Sequence, residues 1–215
     1  MKSTTMKTSF ILAPLALSTS LLISCENPAD KTTDAEVGEA KKKEFVARLG
    51  GSVKYVFTEA SNIEFVGSKV NGDRKSGGFK KVTGHFTLKD GIPVDNDHRV
   101  EIDMNSIHSE SDKLTEHLKN KDFFEVSKYP TSVYDITRIE KKSDTSYSVT
   151  GNLSMHGVTK SVTFPATVEH SGKTAKISAE FDIKRFDWKI EYKGGADNLI
   201  NDEVILRFNL EAKPE

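Results

Sequence analysis

The sequence has almost no cysteine: Cys25 is the single one among 215 residues. A disulfide within the chain is therefore excluded, and an apolar core has to hold the fold together. No second thiol is left for nucleophilic chemistry, and Ser154 lacks the G-x-S-x-G setting of a hydrolase nucleophile. Because no acid–base or nucleophile constellation is visible, we expect a protein that is not an enzyme.

An excess of charge of either sign is also missing, since 31 Lys and Arg residues face 32 Asp and Glu residues, for a net charge of −1. Proteins that bind nucleic acid need a basic surface to neutralise phosphates, so the composition argues against a nucleic-acid partner. His108, Glu110 and His117 follow no spacing that would bring them together around an ion. We therefore expect no metal ion and no cofactor.

The longest apolar run, Phe10 to Ile23, is interrupted by Pro14 and by three hydroxyl residues. It is shorter than the roughly 20 residues that a transmembrane helix needs. Lys2 and Lys7 precede it, as in the positively charged start of a secretory signal peptide. Residues 1–24 are therefore predicted to be a signal peptide.

This run ends in Leu22-Ile23-Ser24-Cys25, which resembles the lipobox of bacterial lipoproteins. The resemblance implies cleavage before Cys25 and lipidation of that residue. The chain would then be lipid-anchored in the cell envelope, facing the periplasm or the outer membrane, because each buried methylene of an acyl chain contributes about 0.8 kcal/mol to membrane binding. The alternative is an ordinary secretory signal followed by a chance cysteine.

Residues 25–50 are polar and charged and contain few large apolar side chains. We interpret them as a disordered tether after the lipidated Cys25, because such a composition buries too little apolar surface to fold. Residues 51–215 then form a single folded domain.

In this domain apolar and polar residues alternate, most regularly over residues 146–155. Alternation predicts strands with one buried face, and short turn signals such as Asp90-Gly91 and His156-Gly157 predict antiparallel neighbours. Eight or nine such strands have to close on themselves or form a sandwich. Because several are longer than typical sandwich strands, we predict an all-β fold: an extended eight-stranded antiparallel barrel.

One stretch, Ser111 to Pro130, has a helical period instead. Leu114 and Leu118 share a face, Ser111 or Asp112 can cap the first turn, and an aromatic pair follows. A single short helix in an otherwise all-strand chain has to bury its apolar face against the sheet. We predict that it plugs or covers the barrel.

Several segments match a family pattern in order and wording. GNLSMHGVTKSVTFPATV (residues 151–168) resembles the "G-x-L-x-x-H/R-G-x-T-K-x-V" segment of the YceI-like, lipocalin-like family. HLKNKDFFEVSKYP (117–130) is similar to its "H-L-x-x-x-D-F-F-D-x-x-x-Y-P" segment, and NDEVILRFNLEA (201–212) to its closing segment. IKRFDW (183–188) stands where the family has an Arg followed by an aromatic or apolar residue. The resemblance covers residues 51–212.

The resemblance implies a lipocalin-like barrel whose apolar tunnel binds a polyprenyl chain, an isoprenoid quinone or another long amphiphile, without chemistry at the ligand. From the residues alone, the aromatic side chains fit a packed core as well as a tunnel wall, and Trp188 fits a lid or an edge position. The residues predicted to line the tunnel are Phe57, Phe65, Phe86, Ile102, Met104, Leu114, Leu118, Phe123, Phe124, Tyr134, Leu153, Phe164, Phe181, Trp188 and Phe208.

One departure from the family concerns the region between the second and third strands. Many members carry a His before a Gly there, whereas this chain reads Arg74-Lys75-Ser76-Gly77. A headgroup contact at this place is therefore absent or made by Lys75 or Arg74. His117 can contact a headgroup or serve a structural role, and His156 is predicted to be a turn residue.

These expectations give a function and an alternative. The first is binding, transport or sequestration of an isoprenoid-like lipid in the cell envelope, with the membrane as second partner through Cys25. The alternative is an envelope structural or stress-related lipoprotein with a packed barrel that acts through a protein partner. The sequence leaves open the ligand, its chain length, the membrane and whether the chain forms a homodimer.

Overall fold

The computed structural model describes residues 27–43, 49–94, 97–195 and 198–215. The predicted signal peptide, Cys25 and part of the predicted tether lie outside these ranges. Among the described residues, no helix combines the length and the apolar content needed to cross a membrane.

The described chain is mostly strand, with one α-helix, α1 (Asp112–Lys119), and three 3-10 turns, η1 (Pro28–Lys31), η2 (Met104–Ser106) and η3 (Arg185–Trp188). The strands are β1 (Glu36–Glu39), β2 (Val53–Phe57), β3 (Asn62–Lys69), β4 (Arg74–Phe79), β5 (Val82–Lys89), β6 (Ile92–Pro93), β7 (Arg99–Asp103), β8 (Ile107–Ser109), β9 (Thr131–Lys141), β10 (Ser146–Met155), β11 (Val158–Ser171), β12 (Thr174–Lys184), β13 (Gly194–Gly195) and β14 (Asn198–Pro214).

Eight antiparallel strands close into a barrel in the order β2, β5, β7, β9, β10, β11, β12 and β14, with β14 returning to β2. In this ring every strand has a paired neighbour on both sides over part of its length, which is why so many one-sided strands can fold together. The prediction of an all-β, eight-stranded antiparallel barrel with one short helix is confirmed.

Three barrel strands bend and continue at one end of the barrel. β3 follows β2, β4 precedes β5 and β8 follows β7, and the three extensions pair with one another in the order β3, β4, β8. Residues 200 and 204–209 of β14 pair with β3, whereas residues 212–214 pair with β2. α1 begins directly after β8 and packs against it. We call this the helix end, and we call the other end, which carries the β9–β10 and β11–β12 turns, the hairpin end.

Two of the predicted tight turns have the expected backbone. Asp90 and Gly91 have φ angles of 52° and 78°, and His156 and Gly157 have φ angles of 50° and 75°. Positive φ at both central residues is the signature of the two-residue type I′ turn, whose twist matches that of the flanking strands. The prediction that His156 is a turn residue is confirmed.

The prediction of a disordered tether is wrong for residues 27–43. η1 is capped by the Asn27 side chain, and β1 pairs antiparallel with residues 160–163 of β11. On the other side, Asp182 of β12 donates its N–H to Thr33 O and accepts a bond from Ala35 N. The segment thus lies between β11 and β12, which pair directly only nearer the hairpin end. Main-chain groups exposed where two strands separate need partners, and a polar segment supplies them as well as an apolar one.

Asp182 is buried where this N-terminal segment joins the barrel, and Thr32 Oγ1 donates to its Oδ2 at 2.7 Å. Burial raises the pKa of Asp182; the Thr32 hydrogen bond opposes this effect, and the carboxylates of Asp34 and Glu203 add to it. A raised folded-state pKa means that the folded chain holds this proton more tightly than the unfolded chain. The associated stability is present below about pH 4, the ordinary range of the group, and is lost as the pH rises through the folded-state pKa.

We therefore predict that Asp182→Asn stabilises the protein at pH 7 by up to about 1 kcal/mol, since it removes the buried charge and keeps an acceptor for Thr32. Thermal unfolding between pH 4 and pH 7 checks the prediction, and the variant should lose part of the pH dependence. Asp144→Asn, at an exposed side chain in the β9–β10 turn, is the control. Equal behaviour of the two variants would contradict the assignment.

Candidate ligand cavity

The barrel contains a cavity of about 430 Å³ at the helix end, under α1. This volume lies within the range of about 300–1,000 Å³ that is typical of small-molecule sites. The wall is almost entirely apolar and is made of inward-facing residues of the barrel strands, of α1 and of the segment that follows α1. A volume of this kind has room for part of a long apolar chain.

The local sequence explains how two elements face the cavity. On β3, Ile63, Phe65 and Gly67 alternate inward, as the two-residue period of a strand requires. On α1, Leu114 and Leu118 are four residues apart and both line the cavity. Ser111 caps α1, since its Oγ accepts a bond from Leu114 N at 3.3 Å. The predicted helix, its N-cap and its inward face are therefore observed.

His117 lies in the cavity wall beside the opening. Its ring packs edge-on against Phe123 and Tyr192, with 5.0 Å between ring centroids in each case. Its Nε2 is 3.0 Å from Asp122 Oδ2. The structure thus gives His117 protein partners on several sides, and the same ring also faces the cavity.

The rim of the opening carries alternating charges. Lys75 Nζ lies 2.7 Å from Glu110 Oε1 and 3.5 Å from Asp73 Oδ1, and Lys69 Nζ lies 3.0 Å from Asp73 Oδ2. The contact with Glu110 raises the pKa of Lys75, and the contact with Lys75 lowers the pKa of Glu110. Exposed ion pairs of this kind contribute little to stability. They leave the rim of the opening with equal numbers of positive and negative side chains in these contacts. Of the two basic residues singled out in the sequence, Lys75 borders the cavity.

Arg185 is a buried positive charge in the wall. Its Nε donates to Asn201 O at 3.0 Å, its Nη1 to Ile190 O at 2.6 Å and its Nη2 to Ile200 O at 3.2 Å. Burial lowers the pKa of Arg185, although an arginine stays charged at physiological pH. Two of these bonds fix η3 to β14 at the place where residues 201–203 bulge out of the pairing with β3, and the third, to Ile190 O, holds the loop after η3. The motif IKRFDW marks this residue in the sequence but predicts no such role.

Three aromatic residues, Tyr134, Phe164 and Phe208, separate this cavity from a second one. Each borders both the large cavity and a space of about 50 Å³ toward the hairpin end. Phe164 stacks on Phe181 with 4.0 Å between centroids, and Phe208 packs on both rings at 5.6 and 5.4 Å. We call Tyr134, Phe164, Phe181 and Phe208 the aromatic layer. The expected tunnel is therefore divided into a large and a small compartment.

A glycine holds Tyr134 in the aromatic layer. A Cβ at Gly151 would stand 2.7 Å from the Tyr134 ring, so only glycine lets the ring lie flat on β10. The Tyr134 hydroxyl donates to Val162 O at 2.9 Å, with Val149 O also within 3.3 Å. Burial raises the pKa of Tyr134 well above its ordinary value, so the phenol stays protonated. The floor of the large cavity is thus neutral and fixed.

Twelve of the fifteen residues predicted to line a tunnel border the large cavity, and their contact with a ligand stays a prediction. These are Phe65, Ile102, Met104, Leu114, Leu118, Phe123, Phe124, Tyr134, Leu153, Phe164, Phe181 and Phe208.

Three assignments need correction. Phe57 and Phe86 face the small compartment, because β2 and β5 run toward the hairpin end. Trp188 is fully buried and borders neither space, because its indole Nε1 donates to Leu153 O at 3.1 Å.

Other residues of the cavity wall were not among those predicted. Ile63, Val204 and Leu206 face inward by the same alternation that places Phe65 and Phe208. Ile190 and Tyr192 lie in a loop where no period predicts the direction of a side chain. Among the described residues there is no group of three or more His, Cys, Asp or Glu side chains arranged to hold a metal ion.

Comparisons with known proteins agree with this geometry. The family model of the YceI-like domain matches residues 55–212. A UPF0312 protein of Yersinia pestis (strain Pestoides F) is 36% identical over 123 residues, which are 53% of this chain and 62% of that protein. The chain thus matches less than two thirds of the length of this relative. A UPF0312 protein of Pseudomonas putida (strain F1) is 30% identical over 161 residues, which are 75% of this chain and 73% of that protein.

Two solved structures share the fold. Burkholderia cenocepacia BcnA superimposes with a TM-score of 0.65 at 24% identity, over 73% of this chain and 99% of that one. A polyisoprenoid binding domain from Saccharophagus degradans, implicated in plant cell wall breakdown, gives a TM-score of 0.63 at 18% identity, over 76% and 99%. Identities this low show the common barrel and no more.

Phe208 separates the two compartments, and we therefore predict the effect of Phe208→Ala. Removing the ring should join the two compartments and lower the free energy of unfolding by about 3–5 kcal/mol. Apolar cavities in proteins take up xenon, so crystals of the native chain under xenon pressure should show xenon in the large cavity and crystals of the variant should show it on both sides of the aromatic layer. Phe186→Ala, at a partly exposed ring in η3, is the matched control. Xenon confined to one side in the Phe208 variant would contradict the prediction.

Proposed function

The chain belongs to the YceI-like domain family, and on that basis we propose that it binds a long isoprenoid-like lipid or a similar amphiphile and carries or sequesters it in the cell envelope. The observation that carries the proposal is the apolar cavity of about 430 Å³ inside a closed barrel. The polyisoprenoid binding domain with the same fold supports a ligand of this class.

The free energy of burying an apolar chain supports a carrier function. Burial of apolar area contributes about 25 cal/mol per Å², which is enough to draw an apolar chain out of water. A bilayer offers the same gain, so the cavity has little advantage over a membrane for the chain alone. Selectivity then rests on the width of the cavity and on the polar groups near its opening, of which His117 and Lys75 are examples.

The polar groups of the wall support binding rather than catalysis. His117 is held by Asp122, and Arg185 by three backbone carbonyls. Ser132 donates its hydroxyl proton to Ser154 O at 3.0 Å. None of these groups stands as a free nucleophile next to a base, which is the arrangement that covalent catalysis needs.

The cellular side of the proposal rests on the sequence. Acylation of Cys25 would tether the barrel to a membrane and give it access to lipids, with no further partner required. The alternative function, a packed barrel that acts through a protein partner, is favoured by one observation: the aromatic layer fills the centre of the interior.

Extraction of the natively purified protein tests the proposal. The full chain is purified under native conditions with no lipid added. It is then extracted with organic solvent, and the extract is analysed by mass spectrometry. We expect a long apolar chain in stoichiometric amount. An empty extract, together with no binding of added polyprenyl quinone, would leave the packed barrel as the better account.

Gly67 allows a sharper prediction, because it borders the cavity and a Cβ built there meets no atom within 4 Å. Gly67→Phe should place a ring in the cavity without disturbing the backbone, and we expect binding of polyprenyl quinone to weaken by about tenfold or more, or 1.4 kcal/mol. Gly38→Phe is the matched control, since a Cβ at Gly38 is equally free and Gly38 lies on the exposed N-terminal strand. Fluorescence titration measures both affinities. Equal losses in the two variants, or none in either, would place the ligand elsewhere.

A further inference from the structure

We propose that the helix end of the barrel is the face that meets a lipid bilayer, with the residues at two adjacent strand ends, Val70 and Leu199, entering its surface beside the cavity opening. The bilayer is in this case a partner surface of the barrel, distinct from any ligand inside the cavity. It follows from where the chain enters the barrel, where the cavity opens and which side chains are exposed there.

The entry point of the chain is the first step. Asn27, the first described residue, accepts a bond from Ser68 Oγ at 3.0 Å and donates from Nδ2 to Glu203 Oε2 at 3.2 Å. Pro28 and Ala29 follow and are buried. The N-terminal segment is therefore fixed to β3 and β14, and Ser68 is itself a residue of the cavity wall. The chain enters the barrel at the helix end.

The second step is the distance to the predicted membrane attachment. Cys25 precedes Asn27 by two residues, and two residues span at most about 7 Å. An acyl chain on Cys25 therefore enters the bilayer within a short reach of Ser68.

The third step is the surface around the opening. Val70 is the second residue after Ser68, and its N–H donates to Leu199 O at 3.0 Å, so the two side chains belong to neighbouring strand ends. Both are largely exposed, Val70 at 53% and Leu199 at 44%. Lys69 precedes Val70 in sequence, Gly194 pairs with Leu199, and both border the cavity. Exposed apolar side chains at an opening are suited to the boundary between headgroups and acyl chains.

Exposure alone does not select this end. Val53 and Ile92 are exposed to a similar extent, and they lie at the hairpin end, where β2 begins and β6 pairs with β5. The hairpin end has neither the opening of the large cavity nor the entry of the N-terminal segment. Ile92 is therefore the control: its side chain is exposed and apolar, but it lies near neither the opening of the large cavity nor the entry of the N-terminal segment.

The charges of the rim determine how strongly the membrane contact depends on anionic lipid. Lys69, Lys75, Asp73 and Glu110 are paired with one another, so the rim presents little net charge to a membrane. Attraction to anionic lipids should then be weak, and contact should depend on apolar insertion. We expect the contact to be about the same with and without anionic lipid and at high salt.

Depth-dependent quenching tests the orientation in the full, mature chain. Val70→Cys, Leu199→Cys and Ile92→Cys are each labelled with bimane and isolated with the membrane anchor, because acylation consumes the Cys25 thiol and leaves one free thiol per variant. The proteins are placed in vesicles of phosphatidylethanolamine and phosphatidylglycerol that contain nitroxide lipids labelled near the headgroup. We expect quenching several times stronger at positions 70 and 199 than at position 92. Equal quenching at all three, stronger quenching at 92, or a chain recovered wholly in the soluble cell fraction would overturn the proposal.

A second measurement links the orientation to lipid uptake. The orientation rests on the proposed acylation of Cys25, and the uptake measurement rests in addition on the proposed lipid binding. The double variant Val70→Glu with Leu199→Glu should take up polyprenyl quinone from vesicles several times more slowly than Ile92→Glu. Neither substitution touches the wall of the large cavity, so affinity for the quinone in solution should stay unchanged in both. Equal uptake rates would count against the proposed face. Absence of solution binding in every variant would instead reject the proposed function, while the quenching result would still decide the orientation.

Discussion

Each strand of the barrel has to pair its main-chain N–H and C=O groups, and the places where this pairing fails determine which other segments pack against the ring. Eight strands pair around a ring, but β3, β4 and β8 pair with one another beyond it at the helix end, and β11 and β12 pair directly only near the hairpin end. α1 and the segment after it cover the gap beyond β8, and β1 fills the gap between β11 and β12. α1 and the segment after it border the large cavity, whereas β1 pairs with residues 160–163 of β11, which include the cavity-wall residue Val162.

The depth of that space is set by side chains rather than by pairing. Tyr134, Phe164 and Phe208 lie between the two compartments, with Phe164 stacked on Phe181 and Tyr134 held by its bond to Val162 O. Gly151 is needed because any side chain there would strike the Tyr134 ring. A small residue on one strand and a large ring on its neighbour thus act together to fix a floor. Toward the helix end the wall carries Leu114 and Leu118 instead, which leave room.

Much of this architecture could be predicted because it depends on period and turn chemistry. Alternation over β10 and the type I′ turn at His156-Gly157 needed only local sequence, as did the helix capped by Ser111. The floor of the cavity could not be predicted in this way, since Phe164 and Phe86 look alike in alternation and differ only in which end of the barrel they reach. The N-terminal strand was missed for another reason: its contribution lies in backbone pairing with residues 160–163, and composition does not report backbone pairing. The buried position of Trp188, which the sequence left open between a lid and an edge, could not be predicted because its partner, the carbonyl of Leu153, is distant in sequence.

The position of the floor has a consequence for long ligands. A chain that enters at the helix end meets the aromatic layer well before the hairpin end, so a polyprenyl chain longer than the large compartment has to fold back on itself or leave part of its length outside the opening. An apolar chain left in water loses the gain that drives binding. If the opening faces a bilayer, however, the remaining length stays in hydrocarbon and nothing is lost. The divided interior and the entry of the N-terminal segment beside Ser68 therefore both support the proposed orientation, in which the barrel would draw a chain partly out of the membrane without first exposing it to water.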